Sequence, residues 1–203
     1  MDERQTRLRA WLGSGSLNLF GLPFAGKDTQ GAILADYFGA QLVSSGQVLR
    51  GCGDTEIARI MASGDIIPPE LFGRVMVPYL LSNTPAGTPL ILSEVGRLPG
   101  EEVVVLEAAE KAGHPILAAI LLELPDEEVW NRFIASQVSG DRGNRADDNK
   151  DVLQNRLEKF HNKVTPVLDY YDRRGLLLRI DGRQSRSAVS EAIFAALDSS
   201  QAR

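Results

Sequence analysis

The chain has 203 residues, of which 43% are hydrophobic and 24% are charged, and its formal net charge at pH 7 is −5. This length and apolar content are sufficient for one domain with a full core, and they exclude a chain that is disordered throughout. The acidic balance argues against nucleic-acid backbones and anionic membranes as partners, so local positive charges have to hold any phosphate ligand.

The cysteine content and the start of the chain indicate where the protein works. A single cysteine, Cys52, excludes an intramolecular disulfide framework, and with two separate histidines it gives no zinc-ligand spacing. The first residues lack the apolar segment of a signal peptide, and no apolar run is long enough to span a bilayer. The sequence therefore predicts a soluble, cytoplasmic protein.

The first predicted element is a short charged helix over residues 3–12, followed by Gly13-Ser14-Gly15-Ser16. Glycine and serine in this arrangement are typical of a flexible joint. We therefore expect residues 1–16 to form an N-terminal arm that is an appendage to a single domain over residues 17–203.

The next stretch, Leu17–Gln30, reads LNLFGLPFAGKDTQ and is the strongest functional signal in the chain. The apolar run Leu17–Phe20 predicts a buried strand, which leads through a glycine loop into a helical pattern. In this context the backbone N–H groups of the loop cradle a phosphate, the helix N-terminus adds partial positive charge, and Lys27 reaches the β- and γ-phosphates. An ordinary strand-to-helix turn that contains a lysine by chance is the alternative.

The rest of the chain alternates between predicted strands and predicted helices. The strands are expected at residues 40–43, 89–92, 116–124 and 176–180. The helices are expected at residues 44–64, from 69 to about 80, and at 101–112, 126–137, 147–174 and 186–197, the fifth of these containing Pro166. This alternation predicts an α/β fold with a parallel sheet and helices on both faces. Ligands of such sheets bind beyond the carboxyl ends of the strands, where the glycine loop and Arg97 both fall.

Seven parts of the chain resemble the adenylate kinases and the wider nucleoside monophosphate kinase family. The glycine loop shares the spacing G-x-P-x-x-G-K-x-T-Q, and Arg97 and Arg132 fall at positions where the family has functional arginines. The other blocks are SSGQVLR at 44–50, GDIIPPE at 64–70, RADDN at 145–149 with Arg156 downstream, and IDGRQ at 180–184. They resemble, in turn, S-T-G-D-x-L-R, G-x-x-V-P-D-E, R-x-D-D and the late loop that touches the donor base.

The resemblance implies a three-layer fold of the P-loop NTP hydrolase type, with a five-stranded parallel sheet. A small insert that binds the nucleoside monophosphate is expected at residues 44–76, and a short lid at residues 136–146. The implied activity is the reversible, Mg²⁺-dependent transfer of the γ-phosphoryl group of ATP to a nucleoside monophosphate, with AMP expected as the acceptor and a monomer as the active form. A mobile lid suits this reaction because closing over ATP excludes water and suppresses hydrolysis.

The resemblance also implies a set of site residues, in which arginines dominate because their planar fork binds phosphate oxygens in pairs and stays charged. The implied catalytic residues are Lys27, Arg97, Arg132, Arg145 and Arg156. The implied ATP-binding residues are Gly21, Pro23, Phe24, Ala25, Gly26, Lys27, Asp28, Thr29, Arg132 and Gln184. The implied acceptor-binding residues are Ser45, Arg50, Asp65, Ile66, Ile67, Arg97, Glu101, Arg145 and Arg156.

The phosphate region departs from the family pattern in the glycine loop and after the third predicted strand. Phe24 stands where the family usually has glycine, and Ser93 replaces the aspartate that organises the water shell of the metal ion. Glu94-Val95-Gly96 replaces Gly-Phe-Pro, while Asp28 departs from the general P-loop pattern, in which Ser or Thr directly follows the lysine. We therefore expect Asp28 or Glu94 to supply the missing carboxylate near Mg²⁺, acting through a water molecule.

The position that reads the acceptor base also differs, and it leaves three interpretations open. Glu101 stands where adenylate kinases carry glutamine, and a carboxylate accepts hydrogen bonds but cannot donate them. AMP remains the leading acceptor, and a kinase for GMP, CMP or UMP is the alternative. From a different class, Phe24, Ser93 and the unusual turn after it leave open a catalytically weakened, nucleotide-binding regulatory protein.

Overall fold

Five parallel strands form the centre of the fold, which we describe from a computed structural model. The structure describes residues 3–63, 65, 67–139 and 149–201. The strands are β1 (Ser16–Gly21), β2 (Gln41–Ser44), β3 (Leu90–Ser93), β4 (Ile116–Glu123) and β5 (Leu177–Asp181), in the spatial order β2-β3-β1-β4-β5. Every residue of β1 and of β3 is buried, as expected for central strands that are covered on both faces.

Helices cover both faces of the sheet. In the described part of the chain they are α1 (Glu3–Leu12), α2 (Lys27–Phe38), α3 (Ser45–Gly51), α4 (Thr55–Ala62), α5 (Pro69–Ser82), α6 (Glu101–Lys111), α7 (Asp126–Ser139), α8 (Lys150–Lys159), α9 (Thr165–Arg173) and α10 (Arg186–Ser200). Successive strand residues face opposite sides of a sheet, so Leu19 joins one apolar core and Phe20 joins the other. The predicted three-layer α/β fold with a five-stranded parallel sheet is confirmed.

The predicted helix over residues 147–174, with Pro166 inside it, is confirmed as a continuous helical run over residues 150–173, but it is not α-helical throughout. A π-helical turn, Phe160–Val164, separates α8 from α9, and Pro166 lies in the first turn of α9. A proline is tolerated there because the first N–H groups of a helix have no intrahelical acceptor. Asn149 caps α8 by accepting a hydrogen bond from the N–H of Val152, whereas the aspartates predicted to cap it, 147 and 148, lie outside the described residues.

The N-terminal arm is packed on the domain and is not an appendage. Leu8 and Leu12 are buried one turn apart on α1, and Arg7 forms an ion pair with Asp198 of α10 at 3.0 Å. The segment after α1 is a tight turn, since a Cβ at Gly15 would come within 2.9 Å of the Leu12 carbonyl oxygen. Residues 3–16 therefore belong to the same core as the sheet, and Ser16 already lies in β1.

The two predicted inserts fall within the described residues to different extents. The expected acceptor insert at residues 44–76 contains α3, α4 and the first half of α5. Of the expected lid at residues 136–146, only the end of α7 belongs to the described residues. Within the described chain, no helix combines the length and the hydrophobicity that crossing a bilayer requires.

Candidate active site

The glycine loop between β1 and α2 wraps around the ammonium group of Lys27. The Nζ atom donates hydrogen bonds to the carbonyl oxygens of Gly21 at 2.6 Å and Leu22 at 2.9 Å. It also lies 3.3 Å from Oε1 of Glu94, and the side chain is only 12% exposed. Because α2 begins at Lys27, the free N–H groups of its first turn face the same loop. The loop therefore provides both a fixed cation and the positive end of a helix for an anion.

Two glycines are required for the path of this loop. The Cβ of any other residue at position 21 would lie 2.9 Å from the carbonyl oxygen of Leu122, on the neighbouring strand. Gly26, which precedes the first residue of α2, has φ +94°, a conformation that favours glycine. The spacing of these two glycines thus has a conformational cause, and the phosphate-binding shape predicted from it is present.

Two other residues take the left-handed conformation without being glycine, and they lie on the two loops next to Lys27. Phe24 has φ +64° and Glu94 has φ +53°, and they are the two such residues in the described chain. A left-handed conformation costs about 1–2 kcal/mol for such residues. At Phe24 this cost is offset by packing, because its ring meets the edge of Phe133 with centroids 5.8 Å apart. The loop thus keeps a glycine-like backbone although phenylalanine occupies the position.

The loop after β3 is fixed to β1, which precedes the glycine loop, and to α3, the first helix of the expected acceptor insert. The side-chain amide of Asn18, on β1, donates to the carbonyl oxygen of Val95 at 2.8 Å. The hydroxyl of Ser45, the first residue of α3, donates to the carbonyl oxygen of Glu94 at 2.8 Å. Oε2 of Glu94 lies 3.8 Å from Nη1 of Arg97. Arg97 and Lys27 are therefore connected through one carboxylate.

Glu101 fixes the backbone on which Arg97 lies. Its Oε2 atom accepts hydrogen bonds from the N–H groups of Arg97 at 3.0 Å and Leu98 at 3.1 Å, and its side chain is buried. Burial raises the pKa of Glu101 to about 6, although these N–H groups and the charge of Arg97 act in the opposite direction. The role in reading the acceptor base stays a prediction, but the structure shows a contact that the sequence did not reveal.

We expect the raised pKa of Glu101 to make stability depend on pH. The group has a pKa of 4.5 without burial and about 6 in the folded protein, so folding takes up a proton between these values. The contribution of Glu101 to the free energy of unfolding is fully present below pH 4.5 and is lost as the pH rises through about 6. Relative to Glu101→Gln, the free energy of unfolding of the wild type should fall by about 1–2 kcal/mol over this window. Urea unfolding of both proteins at pH 4.5 and pH 7 measures this change. If the difference in free energy of unfolding between wild type and Glu101→Gln were the same at both pH values, the prediction would be wrong.

Arg132 joins the glycine loop to the loop after β5. Its Nη1 atom donates to the carbonyl oxygen of Phe24 at 3.2 Å, and Nη2 donates to the carbonyl oxygen of Gly182 at 2.8 Å. Nε donates to Glu128, one turn earlier on α7, at 2.8 Å. A Cβ at position 182 would lie 2.9 Å from the carbonyl oxygen of Glu123, so this second loop also approaches too closely for any residue but glycine. The guanidinium thus sets the distance between two loops at the carboxyl edge of the sheet.

Comparison with known proteins identifies the family of proteins to which a chain with this site belongs. A family model described as "Adenylate kinase" matches residues 19–176. The chain belongs to the adenylate kinase family. The adenylate kinase of Fusobacterium nucleatum is 30% identical over 204 residues, covering 88% of this chain and 96% of the relative. Adenylate kinase from Thermus thermophilus is 32% identical over 184 residues, covering 87% and 94%, and that of Micrococcus luteus is 30% identical, covering 88% of each chain.

Membership of the adenylate kinase family makes the chain a phosphotransferase of nucleotides. The matched region contains Lys27, Arg97, Arg132 and Arg156, all four of which also lie in described residues. Arg156 lies on α8, whereas Arg145 falls outside the described residues. The structure brings Lys27, Arg97 and the Glu94 carboxylate together, and it places Arg132 against the glycine loop.

The remaining predicted binding residues of this adenylate kinase family member lie along the same edge or in the insert. Arg50 is exposed at the end of α3, and Ile67 is buried. Asp65 forms an ion pair with Lys159 at 2.7 Å, while Ile66 lies outside the described residues. Others occupy the glycine loop, the first turn of α2 and the segment before α10: Pro23, Ala25, Asp28, Thr29 and Gln184. The sequence analysis did not identify Asn18, which is buried. A polar residue within an apolar strand was the feature that could have indicated it.

The oxygen donors near the loop fit a Mg²⁺ ion that arrives with a nucleotide. Asp28 and Thr29 lie in the first turn of α2, and Glu94 follows β3. Within the described residues, no group of three or more histidine, cysteine, aspartate or glutamate side chains could hold a metal ion. Mg²⁺ prefers oxygen ligands and usually keeps several waters, with one or two carboxylates and substrate phosphates. The residues present suit that arrangement better than a cage built by protein alone.

Proposed function

We propose that this phosphotransferase moves the γ-phosphoryl group of ATP to AMP and forms two ADP, with Mg²⁺ as cofactor. One observation carries the proposal: Lys27 and Arg97 lie on two sides of a single carboxylate, 3.3 Å and 3.8 Å from its two oxygens. One cation belongs to the donor loop and the other to the turn after β3. Two cations so placed suit two anionic substrates that meet at one point, whereas hydrolysis of ATP would need only the first.

The chain's own residues carry out positioning and charge neutralisation. The N–H groups of the glycine loop and Lys27 hold the donor phosphates, and Arg97 with Arg50 holds the acceptor phosphate. Arg145 and Arg156 are proposed to neutralise the transferring group, for which a single arginine can contribute about 10³- to 10⁵-fold in rate. Mg²⁺ would supply further neutralisation of the β- and γ-phosphates, with Asp28 or Glu94 contacting its water shell.

AMP is favoured as the acceptor for two reasons. The relatives of the same length carry the name adenylate kinase. The Glu101 carboxylate, whose charge would favour guanine or cytosine, accepts hydrogen bonds from two backbone N–H groups and is not directed freely to a ligand. A kinase for GMP, CMP or UMP is the second candidate, and Glu101 is the residue that favours it. A regulatory protein without turnover is not favoured by the family match.

The test is ADP formation from Mg·ATP with AMP, GMP, CMP, UMP and dAMP in turn, with an assay lacking any acceptor as the control for hydrolysis. We expect AMP to be preferred over the other ribonucleotides by at least about tenfold in kcat/KM, because a wrong base leaves polar groups unpaired. Removal of Mg²⁺ with EDTA should abolish turnover. A preference for GMP or CMP, reversed by Glu101→Gln, would establish the second candidate, and ATP binding without turnover would contradict both kinases.

A further inference from the structure

The side chain of Glu94 occupies the space between the two cations that the proposed reaction needs. Oε1 lies 3.3 Å from Nζ of Lys27, and Oε2 lies 3.8 Å from Nη1 of Arg97. The Glu94 side chain is 22% exposed and that of Lys27 is 12% exposed, so water screens this cluster only in part. The carboxylate therefore neutralises both cations at once.

The backbone of Glu94 is fixed, so only its side chain can move. Its N–H donates to the carbonyl oxygen of Leu19 at 2.9 Å, and its own carbonyl oxygen accepts from the Ser45 hydroxyl at 2.8 Å. The residue has φ +53°, which favours glycine, and glycine stands there in the family pattern that the sequence resembles. A carboxylate is thus held between the two cations at a position where the backbone would more readily accept glycine.

The donor capacity of Lys27 shows why this carboxylate competes with a phosphate. An ammonium group has three hydrogen-bond donors. Two of them are taken by the carbonyl oxygens of Gly21 and Leu22, and the Glu94 carboxylate lies 3.3 Å away as an ion-pair partner. A phosphate oxygen that binds the third donor therefore comes close to the Glu94 carboxylate, which carries a charge that repels the phosphate.

From this geometry we infer that Glu94 is an internal counter-ion of both phosphate sites, which substrate phosphates have to displace. Its presence lowers the affinity for the donor and for the acceptor together, because one carboxylate serves both Lys27 and Arg97. The inference rests on the proposed function for the identity of the two nucleotides and for the assignment of Lys27 to the donor and Arg97 to the acceptor. The carboxylate remains near the phosphates after displacement, where it can still contact the water shell of Mg²⁺.

The test measures binding of ATP and of AMP separately by calorimetry, in EDTA and at low salt, so that neither Mg²⁺ nor turnover contributes. We expect Glu94→Gln to bind each nucleotide about 3- to 10-fold more tightly than the wild type, because the amide keeps the shape and removes the competing charge. Rising salt should narrow this difference, since screening weakens the ion pairs and the repulsion alike. The matched control is Glu107→Gln, which removes one negative charge from the exposed face of α6.

A second variant separates charge from backbone. Glu94→Gly removes the charge and also relieves the left-handed conformation, so it should tighten binding at least as much as Glu94→Gln. Unchanged or weaker ATP binding in Glu94→Gln would overturn the inference, and tightening in Glu94→Gly alone would assign the effect to the backbone and overturn it as well. If Glu94→Gln bound ATP more tightly but AMP no more tightly than the wild type, the inference that Glu94 competes with the phosphate at Arg97 would be overturned. Because no turnover is needed, a chain inactive towards AMP would contradict the proposed function and still test Glu94.

Discussion

Lys27→Met should lower the rate of ADP formation by about 10³-fold, because it removes a fixed positive charge from the point where charge develops during phosphoryl transfer. The Nζ atom is held by two loop carbonyl oxygens and is almost enclosed, so water cannot replace its charge in the same place. The variant should still fold, because the loss of two hydrogen bonds from a charged donor, worth about 1.5–3 kcal/mol each, and of the ion pair with Glu94 leaves both apolar cores intact. Initial rates with Mg·ATP and AMP measure the loss, and thermal unfolding checks the fold.

Lys111→Met is the matched control for this prediction. Lys111 lies near the end of α6, is 71% exposed, and makes only a loose ion pair with Glu107 at 3.9 Å. The same charge is removed there without a change at the glycine loop, so turnover should stay near the wild-type rate. If Lys27→Met kept turnover within about tenfold of the wild type, Lys27 would not be the residue that neutralises the transferring phosphates.

Arg132→Met should weaken ATP use much more than AMP use. The change removes the hydrogen bonds to the carbonyl oxygens of Phe24 and Gly182, so the two loops lose the group that sets their distance. We expect the KM for ATP to rise about 10- to 100-fold, with the KM for AMP changed less than about threefold. The free energy of unfolding should also fall, by about 1–3 kcal/mol, because two acceptors lose a charged donor. Steady-state kinetics with each substrate varied in turn, together with urea unfolding, measure both effects.

Arg179→Met provides the control, on the strand that leads into the loop of Gly182. Arg179 lies on β5 and pairs with Glu123 at 2.9 Å, but both side chains are about half exposed. Exposed pairs of this kind contribute little, so the KM for ATP should hardly change. Equal increases in the two KM values of Arg132→Met would mean that Arg132 supports the whole cleft and not the ATP side, which would contradict the prediction.

The sequence could predict the order of strands and helices because each apolar run is bounded by glycine, proline or a capping residue. The strand Leu17–Phe20 became β1, one residue longer at each end, and the glycine loop follows it as expected. The spacing of Gly21, Gly26 and Lys27 was informative because a close contact with β4 and a left-handed φ leave little choice of residue there. Local chemistry of this kind is contained in the chain itself.

The errors arose where packing between distant segments decides the structure. The charged residues of the first helix suggested a solvated arm, but Leu8 and Leu12 are covered and Arg7 finds its partner almost 200 positions later on α10. The helix predicted across residue 166 is interrupted by a π-helical turn, which periodicity alone does not reveal. Burial and long-range ion pairs depend on elements that are remote in sequence, so no local pattern could show them.

By itself, the sequence determined the fold class and the position of the glycine loop, and it predicted the arginines that a reaction between two phosphate-bearing substrates would need. Only the tertiary structure decided what Glu94 and Glu101 contact. Both are carboxylates at positions that differ from the family pattern, and the sequence treated one as a candidate near the metal and the other as a base reader. The contact between Glu94 and Lys27 exists because β1 and β3 lie side by side and bring two separate loops to one edge. The contacts of Glu94 with Arg97, and of Glu101 with the N–H groups of Arg97 and Leu98, depend instead on the path of the turn between β3 and α6.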